Sequence, residues 1–273
     1  KGELLIFDAE NTANHAAMAT GILALGIDPF TKGGGTMLTV DGNPEWGPTA
    51  YEVPDREDTS VSREGLERII EKFNPLLPGY NARQSLITFF AGVRAATYTE
   101  DFHIAPSRHL GALIHVAGIQ SPGLVAAPAI AELVLEILSA EGLQLEEKEN
   151  FNPYRRDITH FKNLDEAQRA ALIRKDPRYG RIVCRCEHVT EGEIIEALHR
   201  PVPARTLDAV KRRTRAGMGR CQGGFCMPRV SLLMARELGI PLEKLTKSGP
   251  GSPLFSRRTK EPSPQKKEWW IDD

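Results

Sequence analysis

Four cysteines constrain this chain more than any other feature. Cys184, Cys186, Cys221 and Cys226 fall within 43 positions, and the other 230 residues contain none. A disulfide scaffold spreads its cysteines and belongs to shorter chains that lack a core of their own. Clustered thiols read instead as a metal site kept in a reducing compartment. Thiolates bind soft and borderline metals, so four of them suit zinc or an iron–sulfur cluster. The spacing is Cys-x-Cys, 34 intervening residues, then Cys-x4-Cys. Structural zinc usually takes a knuckle turn from each of two C-x2-C or C-x4-C pairs, and Cys-x-Cys is short for that turn. It suits a binuclear cluster, in which two neighbouring thiolates share one iron. Zinc and free thiols remain as alternatives. Gly217, Gly219, Gly223 and Gly224 let the backbone pass close to inorganic sulfur and donate N–H groups to it. Cys226 falls at a helix start, where the dipole favours a thiolate.

Charge follows the same division. Residues 181–247 hold 13 Lys/Arg against 7 Asp/Glu, and the remainder holds 22 against 29, for a net charge of −1. Two domains of opposite sign are the simple reading. Arg181, Arg185, Arg212, Arg213, Arg215, Arg220 and Arg229 crowd the cysteines, and a basic shell stabilises the reduced state of an anionic cluster. The near-zero net charge gives no overall field for nucleic acid or lipid. With 41% hydrophobic and 26% charged residues the chain is globular in composition, and 273 residues make room for about two domains. No uninterrupted run of 18 apolar residues occurs, which predicts no transmembrane segment. The opening KGELLIFD reads directly as a strand with no signal peptide before it, so we read the chain as part of a longer one.

Residues 1–145 alternate short strands and helices: 4–8, 35–42, 85–92, 102–105 and 112–118 read as strands. Ser62 opens a helix to about Phe73, with Leu66, Ile69, Ile70 and Phe73 on one face. A second helix runs from about Ala126 to Ser139. Its wide apolar face of Ile130, Leu133, Val134, Ile137 and Leu138 predicts deep burial. Residues 146–180 read as a connector with a short helix near Asp165–Arg174. Residues 181–247 form the cysteine domain. There a capping box at Thr190–Glu193 opens one helix, Thr206 opens another, and Met227–Leu238 forms a third, stopped by Gly239. Few large apolar residues stand out in it, so the metal is expected to supply much of its stability. Residues 248–273 form a tail in which Trp269 and Trp270 favour docking.

The motif R-x-V-C-R-C-E-x-V-T at 181–190, followed by R-R-T-R-A-G-M-G-R-C-Q-G-G-F-C at 212–226, resembles the bacterioferritin-associated-ferredoxin-like 2Fe–2S domain. That resemblance implies a small helical domain in which Cys184, Cys186, Cys221 and Cys226 hold one cluster. Upstream, G-I-Q-S-P-G-L at 118–124 and A-P-A-I-A at 127–131 resemble the last flavin-contacting segment of the D-amino-acid-oxidase-like FAD family. Pro29-Phe30-Thr31-Lys32-Gly33, G-N-P-E-W-G-P-T-A at 42–50 and F-F-A-G-V-R-A at 89–95 agree with it in order and spacing. They point to the branch that contains anaerobic glycerol-3-phosphate dehydrogenase large subunits and L-2-hydroxyglutarate oxidases. The implied fold is α+β: a partial flavoprotein domain, a mixed sheet with helices, followed by the small helical domain.

The same resemblance places Gly118, Ile119, Gln120, Ser121, Pro122, Gly123 and Leu124 along the flavin, and Arg94 and Gln120 at the substrate. The implied cofactors are FAD and 2Fe–2S. The implied partners are a small anionic substrate, such as glycerol 3-phosphate or a 2-hydroxy acid, and an electron-acceptor subunit or quinone-linked partner. The location implied is cytoplasmic, or peripheral at the inner membrane through a partner. No G-x-G-x-x-G for the FAD pyrophosphate occurs, so the FAD-anchoring half is expected outside this chain. Two other classes compete: a non-catalytic iron–sulfur electron-transfer or assembly module, and a zinc-binding nucleic-acid module. His115 is expected in the core. His103, His109 and His188 are not assigned, and no residue stands out as a catalytic base.

Overall fold

The computed structural model describes residues 1–9, 23–25, 34–77, 79–256 and 260. The Pro29–Gly33 motif and the Trp269-Trp270 pair lie outside the described residues. The chain divides into two units, Lys1–Arg155 and Arg156–Asp273.

The first unit is built on a five-stranded sheet of β1 (Gly2–Phe7), β2 (Leu23–Leu25), β3 (Gly34–Leu38), β4 (Pro44–Gly47) and β5 (Leu86–Gly92). Its order is β2-β3-β4-β1-β5, and every described pairing is antiparallel. Alternation along β1 turns Glu3, Leu5 and Phe7 to the face covered by α1 (Arg63–Phe73). The core there is aromatic. Trp46 lies 4.5 Å from Phe7, 5.4 Å from Tyr80 and 6.1 Å from Phe73, ring to ring, with Ile69 and Leu77 closing the cluster. Ser62 caps α1 as its sequence suggests, its hydroxyl accepting from Gly65 N–H at 3.0 Å. A short α2 (Ala82–Ser85) leads into β5.

Beyond β5 lies a hairpin of β6 (His103–Pro106) and β7 (Ile114–Ala117), then α3 (Gly123–Ala140). Here two expectations are overturned. The apolar helix is not buried: only Gly123 is, while Leu124 is 93% and Val125 84% exposed. It packs on β6, and among the described residues of the first unit no second layer covers the rest of its apolar surface. It is also long and apolar enough to cross a membrane by length and composition, although its run is broken by Glu132 and Glu136. Two glutamates at mid-helix would each cost about 2.5–3.5 kcal/mol in a bilayer centre. His115 is likewise no core residue. It stands half-exposed beside His103, ring centroids 5.6 Å apart.

The second unit begins well before the cysteines. Ile158 joins its core, and Tyr179, in the turn Pro177–Gly180, lies so close over Gly192 that a Cβ there would sit 2.6 Å from the ring. Residues 156–180, including α4 (Glu166–Lys175), therefore fold into this unit rather than hang as a connector. A hairpin of β8 (Ile182–Cys184) and β9 (Val189–Thr190) precedes α5 (Glu191–His199), α6 (Leu207–Thr214) and α7 (Met227–Leu238). The capping box closes α5 as read, Thr190 N–H donating to Glu193 Oε2 at 2.7 Å and Glu193 N–H to the Thr190 hydroxyl at 3.3 Å. Val183, Ile194, Leu198, Val210, Leu233, Met234 and Leu245 form a continuous buried core. The expectation of few large apolar residues fails. They are scattered singly through polar sequence and meet only when three helices pack. Past Leu245 the chain turns back, Lys247 N–H donating to Ser252 C=O at 2.8 Å, so the start of the tail belongs to this unit.

Candidate metal centre and upstream loop

The hairpin β8–β9 presents Cys184 and Cys186, and the glycine loop ahead of α7 presents Cys221 and Cys226. Across 34 residues of intervening chain the four thiols meet. Cys184 Sγ lies 3.8 Å from Cys186 Sγ, Cys186 Sγ lies 3.7 Å from Cys221 Sγ, and Cys226 neighbours Cys184. Two thiolates on one tetrahedral metal, each about 2.3 Å from it, would lie about 3.8 Å apart. Among the described residues no group of three or more Cys, His, Asp or Glu side chains closes around one ion. The sulfurs run as a string, 226–184–186–221.

The cradle is cut to fit. A Cβ on Gly219 would stand 2.6 Å from Cys186 Sγ, well inside van der Waals contact, so only glycine passes there. Gly217 and Gly223 adopt φ of +93° and +86°, which opens the loop around the sulfurs. Neighbouring backbone N–H groups favour two of the thiolates, those of Gly217 and Glu187 at Cys184 and those of Phe225 and Gly223 at Cys221. The hydrogen bond from Cys226, helped by these N–H groups, draws the Cys184 thiol down to about 5. The Phe225 N–H lowers Cys221 in the same way. Burial, and then the charge of Cys184, push Cys186 up to about 12, and the Cys184 hydrogen bond pushes Cys226 up. Such a set releases its remaining protons when a cation arrives. A donor set of four thiols in a glycine cradle lined with N–H groups fits an iron–sulfur group.

The arginines divide. Arg181 pairs with Glu191 at 3.0 Å, Arg213 donates to the Ala209 and Val202 carbonyls, and Arg215 is clamped on Glu187. These three are structural rather than a loose basic shell. Arg185 lies over the Phe225 ring, 4.5 Å from its centroid, and Arg212, Arg220 and Arg229 are exposed. The sequence reading missed Glu187 and Lys162, which meet at 3.8 Å beside the ligand hairpin. Nothing in their spacing announces them, because each belongs to a different segment. His188 is exposed in a left-handed turn, φ 53°, and the structure gives it no place in the string.

In the first unit, β7 ends at the loop 118–122, which delivers Gly123 as the first residue of α3. Both glycines are required by contact. Gly118 has φ +68° and a Cβ on it would meet Thr97 at 2.4 Å, while a Cβ on Gly123 would meet Ile119 at the same distance. The strand–loop–helix arrangement is as read, with Ser121, Pro122 and Leu124 exposed. Gln120 is buried and donates from Nε2 to the Glu100 carbonyl at 2.8 Å, which anchors the loop. Arg94 is exposed just past β5, and among the described residues no ion pair involves it.

A four-thiol cradle in a small helical unit, preceded in sequence by a sheet unit that ends in strand, glycine loop and helix, defines a two-part redox protein. The chain belongs to the FAD dependent oxidoreductase family, whose model matches residues 1–137, and residues 182–236 match the BFD-like 2Fe-2S binding domain. The first match takes in most of α3, which places that helix in the oxidoreductase domain. The chain is 47% identical over 234 residues to a glycerol 3-phosphate dehydrogenase of Caloramator mitchellensis, covering 85% of this chain and 48% of that one. It is 33% identical over 129 residues to a glycerol 3-phosphate oxidase of Mycoplasma genitalium, covering 46% and 33%. It is 46% identical over 55 residues to a subunit of the anaerobic glycerol-3-phosphate dehydrogenase of Escherichia coli K12, covering 20% and 10%. The chain thus spans about half the length of the first relative and a third of the second.

Proposed function

We propose that this chain is the C-terminal share of an FAD-dependent dehydrogenase that oxidises a small anionic alcohol, glycerol 3-phosphate or a 2-hydroxy acid, and sends the electrons on through a 2Fe–2S centre. The observation that carries this reading is the meeting of the four cysteines, with Cys184, Cys186 and Cys221 in succession at tetrahedral-edge spacing, within a domain of an iron–sulfur family. Cys184, Cys186, Cys221 and Cys226 are its ligands, two to each iron. Bound FAD supplies a two-electron acceptor for the substrate, and the centre supplies a one-electron carrier. Gly118, Ile119, Gln120, Ser121, Pro122, Gly123 and Leu124 lie along the flavin, where the N-terminal turn of α3 presents a positive dipole end. Arg94 grips the substrate anion, and its lack of an ion pair among the described residues supports that role. The names of the relatives favour glycerol 3-phosphate as substrate, and one of them is a subunit of a larger enzyme, which supports a partner subunit; the partner in this reading is an electron acceptor.

The test is metal analysis of the chain purified anaerobically after iron-replete expression. About two irons per chain and a red-brown absorbance are expected from this ligand count. Stoichiometric zinc without iron would overturn the reading. Iron together with no oxidation of glycerol 3-phosphate or 2-hydroxy acids by the full-length protein would leave an electron-carrier module only.

A further inference from the structure

Glu187 follows Cys186 directly, and three chain segments converge on it. Its carboxylate accepts from Arg215 Nε at 2.7 Å and from Arg215 Nη2 at 3.2 Å. Lys162 Nζ lies 3.8 Å away. Its Oε1 would lie 3.0 Å from a Cβ on Gly219, in the loop that leads to Cys221. Both side chains of the bidentate pair are largely buried, 16% exposed for Arg215 and 12% for Glu187.

Two details set this arrangement apart from an ordinary surface pair. Arg215 occupies the left-handed position that ends α6, φ 67°, where glycine is the usual choice. A side chain is kept there against backbone preference, and its guanidinium goes to Glu187. The Lys162 segment is seated as firmly. Phe161 N–H donates to the buried Glu193 carboxylate at 3.2 Å, and Arg169 donates to the carbonyls of Phe161 at 3.2 Å and Lys162 at 2.7 Å. The Cys184–Cys186 hairpin, the glycine loop leading to Cys221 and the segment at 161–163 are thereby tied at one carboxylate.

We propose that Glu187, with Arg215 and Lys162, is a positioning node for the iron–sulfur centre. It holds the two cysteine loops in register and sets the local charge against which the centre is reduced, and Lys162 links that charge to the seating of the upstream segment. The proposal rests on the reading of the four cysteines as cluster ligands. Reduction adds one negative charge, so a nearby cation favours it and a bare carboxylate opposes it. The clamp neutralises a carboxylate that the hairpin places one residue from a ligand.

The experiment is a redox titration of the cluster followed by electron paramagnetic resonance. It uses the full chain and its Glu187→Gln, Arg215→Gln, Lys162→Gln and Glu187→Gln/Arg215→Gln variants. The reduction potential should rise in Glu187→Gln, fall in Arg215→Gln, fall less in Lys162→Gln, and return toward wild type in the double variant. If Arg215→Gln takes up no iron, Arg215→Lys keeps the charge but loses the two-point grip. It should hold the wild-type potential yet lose iron to a chelator several-fold faster. Iron-loaded variants whose potentials coincide, or all move in one direction, overturn the node. A wild-type chain that binds no iron overturns the cluster reading itself, and the node with it.

Discussion

At Gly219 the fit of backbone to sulfur leaves no room for one methyl group. Gly219→Ala would place a Cβ 2.6 Å from Cys186 Sγ and 3.0 Å from Glu187 Oε1. The loop must shift, at roughly 1–3 kcal/mol for an overpacked site, and the string of sulfurs shifts with it. The expected outcome is a lower iron-to-protein ratio with helical circular dichroism retained. Arg94 belongs to this scale too. In the full-length enzyme Arg94→Lys should lower kcat/KM on the anionic substrate by about 30- to 1,000-fold, because a bidentate grip loses geometry as well as a contact. Flavin and iron content should stay unchanged. Full activity with lower thermal stability would mean that the anion is held elsewhere. In the sequence Gly219 stands out by its place among the cysteines and Arg94 by its motif. Gln120 shows the limit: its hydrogen bond to the Glu100 carbonyl joins residues 20 apart and is not legible in the sequence.

One helix and one strand show how an element can depend on a residue far away in the chain. The α1 N-terminus is capped twice, by Ser62 and by the Glu3 carboxylate, which accepts from Ser62 N–H at 2.7 Å, the Ser62 hydroxyl at 3.0 Å and the Thr49 hydroxyl at 3.2 Å. Burial alone would raise the Glu3 carboxyl, but the donors around it, Ser62 N–H first among them, together outweigh burial and hold it below its ordinary value. A lowered folded value gives stability that is present above the ordinary carboxylate range and is lost as pH falls through the folded value. Acid unfolding of the first unit should therefore show a loss in that window that is flattened in Glu3→Gln. Gly65→Ala is the steric counterpart, since its Cβ would fall 1.4 Å from Glu3 Oε2. Displacing the buried carboxylate should cost about 2–4 kcal/mol, read as a lower Tm of the first unit. The Ser62 cap is legible in sequence, because its partner is three residues away. Glu3 is not. A glutamate in an alternating strand reads as solvent-facing until a helix 60 residues later is laid over it.

For the whole molecule, the two units differ in what they lack. The second has its own core from Ile158 to Leu245 and its four thiols within that core's reach. Residues 156–256 expressed alone should therefore fold and hold as much iron per chain as the full chain, measured by iron assay and absorbance. A fragment that is unfolded, or folded but without iron, would show that the first unit is needed. The first unit leaves most of the apolar surface of α3 uncovered and holds no dinucleotide fingerprint. Titration of the 273-residue chain with FAD should accordingly show weak or undetectable binding, and tight stoichiometric uptake would contradict the division of the flavin site proposed above.

By itself the sequence determined what short-range chemistry can write. The cysteine spacing, the glycines between them, the capping boxes and helix stops, and the family motifs at 89–95 and 118–131 all act over a few residues. They located the candidate centre and most of the helices. Tertiary structure alone decided what depends on meetings between distant segments. These are the string of sulfurs closed across 34 residues, the Glu187–Arg215–Lys162 node, the burial of Glu3, and the place of residues 156–180 in the second unit. It also decided the exposure of α3. An apolar face records that a helix is made to be covered, but burial belongs to the pair of surfaces, and one helix's sequence specifies only one of them.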